Sequence, residues 1–353
     1  MTAVAEAAGF PSVRRFNDAV RRSFQATPGA LRRRPCRAPA PTRGAGGSLT
    51  LRLPYRPPLD WPRMLAFLAG RAIAGTEVVT DDTYQRAIDL PGTRGLLAVR
   101  PLPAEAQVEL RLSLVTPLPG DLLEVTRRLA RLFDLHADAA AIMAHLEKDA
   151  ALRPALRRLP GLRVPGAWDP FEMAVRAILG QQVSVKGATT LMGRVVRKFG
   201  APLQDSPDPR LTHYFPAPAV LARADLSGLG LTGQRIATVQ ALAAAVAEGR
   251  LRWDAFRDLD DAVAQLTALP GIGAWTAHYI AMRALGEPDA FPTGDLGLLK
   301  GLAALTGTPI TKKQLDERAA AWRPWRAYAT LALWQGAPAE AAAPRRTTKG
   351  KKP

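Results

Sequence analysis

The sequence predicts an α+β protein: a small sheet-bearing unit followed by a long helical array. Three observations carry the prediction. Alternating apolar residues over Leu49–Leu53, followed by three more β-rich runs, describe a small sheet. From Ala137 to Gly336 the apolar residues recur at helical spacing, interrupted by short Pro/Gly breaks. Within this array stands Leu269-Pro-Gly-Ile-Gly-Ala-Trp-Thr-Ala277, where two glycines separated by one residue can turn the backbone sharply between helices.

Composition sets the bounds. A chain of 353 residues is long enough for two or three domains, each with its own core. Against 31 acidic residues it carries 48 Lys and Arg, a net charge of +17, which points to a polyanionic partner, nucleic acid first. Cys36 is the only cysteine, which excludes a disulfide framework, a CxxC zinc site and a cysteine-ligated iron–sulfur cluster, and suits a reducing, cytoplasmic compartment. The N-terminus lacks the apolar segment of a signal peptide. The uncharged run Ala262–Met282 is broken by Pro-Gly-Ile-Gly and reads as a buried hairpin, not a membrane span.

In chain order, residues 1–34 read as two short helices, with Phe16, Val20 and Phe24 as one apolar stripe flanked by arginines. Residues 35–47, rich in Pro, Arg, Ala and Gly, are a linker. Residues 48–136 form the α+β unit: strand Leu49–Leu53, helix Trp61–Ala72 with Asp60 as N-cap, strands Thr83–Leu90, Gly95–Pro101 and Gln107–Val115, and helix Leu122–Leu135. Residues 137–336 hold eight to ten helices, among them Phe171–Gly180, opened by Asp169-Pro170, and Lys186–Phe199. Residues 337–353 are a basic tail, disordered by composition.

The hairpin is where function becomes readable. Its turn presents backbone N–H groups at the start of the helix beginning near Trp275, an arrangement suited to a phosphate. Twenty residues past Trp275 stands Asp295, with Gly294 before it leaving room for close approach. Leu269–Ala277 with Asp295 resembles the helix-hairpin-helix DNA glycosylases. Ile178-Leu-Gly-Gln-Gln-Val-Ser-Val185 and Arg323-Pro-Trp-Arg-Ala-Tyr-Ala329 narrow the resemblance to the 3-methyladenine DNA glycosylase II branch, over residues 49–336. Residues 26–33, Ala-Thr-Pro-Gly-Ala-Leu-Arg-Arg, with the Phe-x-x-x-Phe helix before them, resemble the second helix-turn-helix of AraC-type regulators. Those modules carry two such units and this chain starts inside the second, so the expectation is a vestige or truncated fusion partner.

The resemblance implies a small mixed α/β (TBP-like) domain beside a helical glycosylase domain, and an enzyme that rotates alkylated purines out of duplex DNA and hydrolyses the N-glycosidic bond. Asp295 is the catalytic carboxylate, stabilising an oxocarbenium-like sugar or orienting the attacking water. Trp275, Tyr279 and Trp334 wall the base pocket, where aromatic faces attract cationic purines. Leu269, Pro270, Gly271, Ile272, Gly273 and Thr276 form the hairpin that holds the DNA backbone. The intercalating wedge, often leucine in the family, falls at Gln182 beside Gln181. Bifunctional relatives place a Schiff-base lysine next to the hairpin. Here Ala274 and Trp275 follow Gly273, and the nearest lysine beyond is Lys300, which predicts a monofunctional enzyme that leaves an abasic site. No cofactor and no catalytic metal are expected; a cation on hairpin carbonyls would be structural. The partner is double-stranded DNA with alkylated bases, the protein a monomer at the nucleoid. Glu287, Asp289, Trp322 and Trp325 are assigned structural roles. The alternatives are a non-catalytic hairpin DNA-binding protein, which would need neither Asp295 nor the aromatics, and an AraC-type regulator, for which about half the module is present. Four histidines at 136, 145, 213 and 278 share no ligand spacing, against a metal-dependent hydrolase.

Overall fold

A computed structural model describes residues 48–90, 93–114 and 119–336, together with Val13, Arg14 and Asn17. The N-terminal two-helix reading, the linker and the basic tail therefore fall almost entirely outside the described residues.

The sheet has five strands, one more than the pattern predicts: β1 (Ser48–Pro54), β2 (Glu77–Val79), β3 (Tyr84–Leu90), β4 (Thr93–Leu102) and β5 (Gln107–Leu114). All neighbours are antiparallel, in the order β1-β5-β4-β3-β2. After β1 the chain crosses to the far edge through α1 (Trp61–Ala69), meanders back through β3 and β4, and closes on β1 with β5, placing Leu51 opposite Leu110. The strand missed by the pattern, β2, is three residues long, too short for an alternation to register. The first helix ends three residues earlier than predicted, at Ala69. Its start is as predicted, with the Asp60 carboxylate accepting from the Arg63 amide and Pro62 in the first turn. The next helix, α2, covers Pro119–Leu132.

Eleven α-helices follow among the described residues up to 336, against the eight to ten predicted. They are α3 (Ala139–Leu146), α4 (Arg153–Arg157), α5 (Pro170–Leu179), α6 (Val185–Phe199), α7 (Pro218–Leu221), α8 (Gly233–Ala247), α9 (Leu259–Thr267), α10 (Ala274–Ile280), α11 (Leu296–Thr306), α12 (Lys312–Ala319) and α13 (Arg326–Gly336). The excess comes from single turns such as α4 and α7, below the length at which periodicity is legible.

The interior divides into two cores that do not follow chain order. One joins α1, the sheet and α2 to α3, α4 and α11–α13, through residues such as Leu65, Val99, Leu129, Phe291 and Leu331. The other is built by α5, α6, α8 and α10, around Phe171, Met192, Leu242 and Ile280. Tyr279 packs against both. Two ion pairs span them. Arg86 on β3 donates to Glu172 on α5 at 2.7 Å, and Arg128 on α2 reaches Asp169, the N-cap of α5, at 3.1 Å. Both guanidiniums lie 5.4 Å from the centre of the Trp168 ring.

Candidate active site

The hairpin joins α9 to α10. Gly271 adopts φ +82°, and a Cβ there would meet Thr238 Oγ1 of α8 at 2.0 Å, so both backbone and packing demand glycine. Gly273 differs: it is the N-cap of α10 at φ −88°, with open space where a Cβ would lie. Gly271→Ala is therefore expected to cost at least about 2 kcal/mol, and Gly273→Ala less than about 1 kcal/mol; thermal unfolding of the two variants checks the contrast. Ile272 and Thr276 are buried, while Pro270, Gly271 and Gly273 are exposed.

Asp295 is the N-cap of α11, and its side chain is fixed from three directions. Oδ1 accepts from the Leu298 amide and from the Trp334 indole, each at 3.0 Å, and Oδ2 accepts from the Trp275 indole at 3.0 Å. A carboxylate offers about four acceptor directions, so one on Oδ2 stays available to a ligand or water. The close fit requires Gly297: a Cβ there would stand 2.9 Å from Asp295 Oδ1 and 3.2 Å from the Trp334 ring. The three predicted aromatics come together with the aspartate. Trp275 and Tyr279 stack with centroids 5.2 Å apart and planes 7° from parallel, and Trp334 tilts at 51° to Tyr279, 6.2 Å away.

These groups line a cleft of about 820 Å³ at the junction of the two cores, and Gln181 and Gln182 line it as well. The two glutamines, grouped together from sequence, separate here. Gln181 is half-buried and donates through Nε2 to the Gly271 carbonyl and Thr276 Oγ1, both at 3.0 Å, binding its loop to the hairpin; Arg235 donates to its carbonyl. Its amide is thus engaged within the protein. Gln182 stands exposed at the loop tip in the left-handed region, φ +54°.

Sequence reasoning missed the cleft's cationic floor. Arg71 and Arg176 line it, and Arg283 behind them donates to the Tyr279 hydroxyl at 3.2 Å and to the Gly166 carbonyl. Burial would push the Tyr279 phenol up, but the guanidiniums of Arg283, Arg71 and Arg176 outweigh it and hold it below its ordinary range. Burial above all, with the neighbouring cations, brings Arg283 down to about 10. Arg176 carried a readable signal, a lone charge in the otherwise apolar second half of α5, whereas Arg71 follows a helix end and carried none.

Among the described residues no lysine lines the cleft. Lys312, distant in sequence, comes near the Gly294 backbone but pairs with Asp316 at 2.6 Å. The structural assignments find concrete partners: Trp322 is buried and donates to Asp149, and Asp289 is clamped by Arg323 and Arg326 at 2.9 and 2.7 Å. Of the hairpin carbonyls, that of Leu269 accepts from the Ile272 amide and that of Gly271 from Gln181. Among the described residues no group of three or more His, Cys, Asp or Glu side chains is gathered as a metal site, and no helix is long and apolar enough to cross a membrane.

Comparison with known proteins decides the family. Residues 50–169 match the AlkA N-terminal domain, and residues 175–327 match the HhH-GPD superfamily of base excision DNA repair proteins. DNA-3-methyladenine glycosylase 2 of Escherichia coli is 37% identical over 285 residues, covering 80% of this chain and 95% of that protein. The chain belongs to the helix-hairpin-helix DNA glycosylase family. A Mycobacterium tuberculosis protein described as a probable bifunctional transcriptional activator/DNA repair enzyme AlkA is 43% identical over 331 residues, 94% of this chain. The chain spans 66% of that relative's length. The 3-methyladenine DNA glycosylase of Archaeoglobus fulgidus shares the glycosylase fold, with a TM-score of 0.70 at 22% identity over 80% of this chain and 96% of its own.

Proposed function

We propose that the protein is a monofunctional DNA glycosylase of base excision repair that takes alkylated purines of the 3-methyladenine type from duplex DNA. The observation that carries the reading is Asp295, held by two indole N–H groups and its own helix N-terminus beside an aromatic-walled cleft. The hairpin Leu269–Gly273 grips the DNA backbone, and Gln182 enters the stack where the base has left. The base turns into the cleft against Trp275, Tyr279 and Trp334. As the N-glycosidic bond lengthens, positive charge grows on the sugar beside Asp295, whose position is fixed in advance and needs no reorganisation. A water on the open Oδ2 direction then adds to C1′ and loses its proton to the carboxylate, leaving free base and an abasic site. The protein works as a monomer on DNA in the cytoplasm, at the nucleoid.

The test is release of free base from a duplex bearing a single 7-methylguanine, followed with and without borohydride. Free base with an uncut strand and no covalent adduct is the expected result. Strand scission with a trapped adduct would assign a lysine nucleophile and overturn the monofunctional reading.

A further inference from the structure

We propose that Arg71 is a specificity-determining residue: with Arg176 and Arg283 behind it, it turns the pocket floor into a sink for negative charge, favouring uncharged purine lesions over cationic ones. The inference deepens the glycosylase reading and rests on it. Around the Tyr279 hydroxyl and the adjoining sheet edge lie four guanidiniums, those of Arg71, Arg86, Arg176 and Arg283, and two carboxylates, Glu77 and Glu172. Arg86 takes both carboxylates, at 3.3 and 2.7 Å, and Arg176 reaches Glu77 only at 3.9 Å. Arg71 has no carboxylate partner within salt-bridge distance among the described residues: its guanidinium lies 3.7 Å over the Phe67 ring and donates to the Phe67 carbonyl. The arginine pair on the cleft wall, Arg71 and Arg176, is joined by a hydrogen bond from Arg176 to the Arg71 carbonyl, which holds Arg71 at the cleft. The floor thus carries an excess of positive charge, which Tyr279 registers in its lowered phenol range.

The two kinds of lesion answer this field oppositely. A 7-methylguanine or 3-methyladenine nucleoside is already cationic, so its base leaves neutral and the floor raises the energy of the bound substrate without stabilising the departing group. An uncharged 6-oxopurine such as hypoxanthine must leave with the electron pair of the broken N9–C1′ bond, spread over the ring toward O6. The sugar becomes the oxocarbenium ion beside Asp295, water adds at C1′, and its released proton ends on the departed purine. A guanidinium at the floor stabilises that anion as it forms, where dielectric screening is weak. Aromatic walls that favour cations and a floor that opposes them give a site able to serve both classes.

The experiment measures single-turnover release from matched duplexes carrying hypoxanthine or 7-methylguanine, with protein in excess of DNA but below saturation, so that the rates report kcat/KM and include the cost of bringing a cation to the floor. Both bases carry O6, their differences at N2 and N7 are the same for every variant compared, and at subsaturating protein the ratio of their rates is independent of the fraction of protein correctly folded. For Arg71→Met and for Arg71→Gln, which guards against a folding failure of either, the hypoxanthine/7-methylguanine ratio is expected to fall about tenfold or more. Arg71→Lys, which keeps the charge, is expected to stay within about threefold of wild type. A ratio unchanged in the neutral variants, or lost equally with lysine, overturns the charge role of Arg71. Wild-type protein that releases neither base overturns the glycosylase reading itself, a result distinct from an unchanged ratio.

Discussion

Asp295→Asn is expected to reduce single-turnover release of 7-methylguanine by about a thousandfold while leaving the fold intact. Asparagine is as good an N-cap as aspartate, and its carbonyl can keep the bonds from the Leu298 amide and the Trp334 indole. What it cannot do is accept from the Trp275 indole on the other side, where an amide NH2 would face an N–H donor. It also cannot take a proton from water or offset charge on the sugar. The variant should therefore unfold within a few degrees of wild type and still bind DNA. Release within tenfold of wild type would remove Asp295 from the chemistry. A large drop in melting temperature would instead show that the residue's main duty is to hold α11.

Arg86→Met is expected to be the most damaging substitution to stability outside the hairpin, about 3–5 kcal/mol near neutral pH. Arg86 is fully buried between Glu172 and Glu77, and its removal leaves two carboxylates without their main cation. Burial already lifts the Glu172 carboxyl above its ordinary range despite Arg86, while the surrounding carboxylates and the Tyr84 hydroxyl keep Arg86 protonated against the cost of its own burial. Without the guanidinium the carboxyl rises further. A carboxyl whose folded value exceeds its unfolded value favours the folded state below the unfolded value and loses that benefit as pH rises through the folded one. The deficit of Arg86→Met should therefore shrink between about pH 7.5 and about pH 5.5. Chemical denaturation of both proteins at the two pH values measures it. A deficit below about 1 kcal/mol, or one that grows on acidification, would show that the pair is not a buried tie between the two cores.

Legibility in the sequence tracked how local the determining physics was. Asp60-Trp-Pro62 and Asp169-Pro170 announced their helices because capping is decided within four residues, and both caps form as expected. The hairpin was readable because Gly271 meets a local backbone demand. The aspartate and the aromatics were placed by resemblance, and the fold brings them into contact. What stayed hidden depends on distant partners. Gln181 looked interchangeable with Gln182 until Gly271 and Thr276, some ninety residues on, claimed its amide. Gly297 looked like any helical glycine, and only the Trp334 ring shows why it is needed. Arg71 gave no periodic or motif signal, because only the fold brings it together with Arg176 and Arg283 at one tyrosine. The grouping of α11–α13 with the sheet in one core was equally invisible, since chain order separates them by the whole second core.

On the proposed mechanism a preset Asp295 carboxylate faces the positive charge that develops on the sugar. Its most direct test compares the affinity of the protein for duplexes carrying a protonated pyrrolidine abasic analogue and an uncharged tetrahydrofuran one, in wild type and in Asp295→Asn. Wild type is expected to prefer the cation by about a hundredfold, and the asparagine variant to lose most of this preference. Equal preference in the two proteins, or none in wild type, would contradict it.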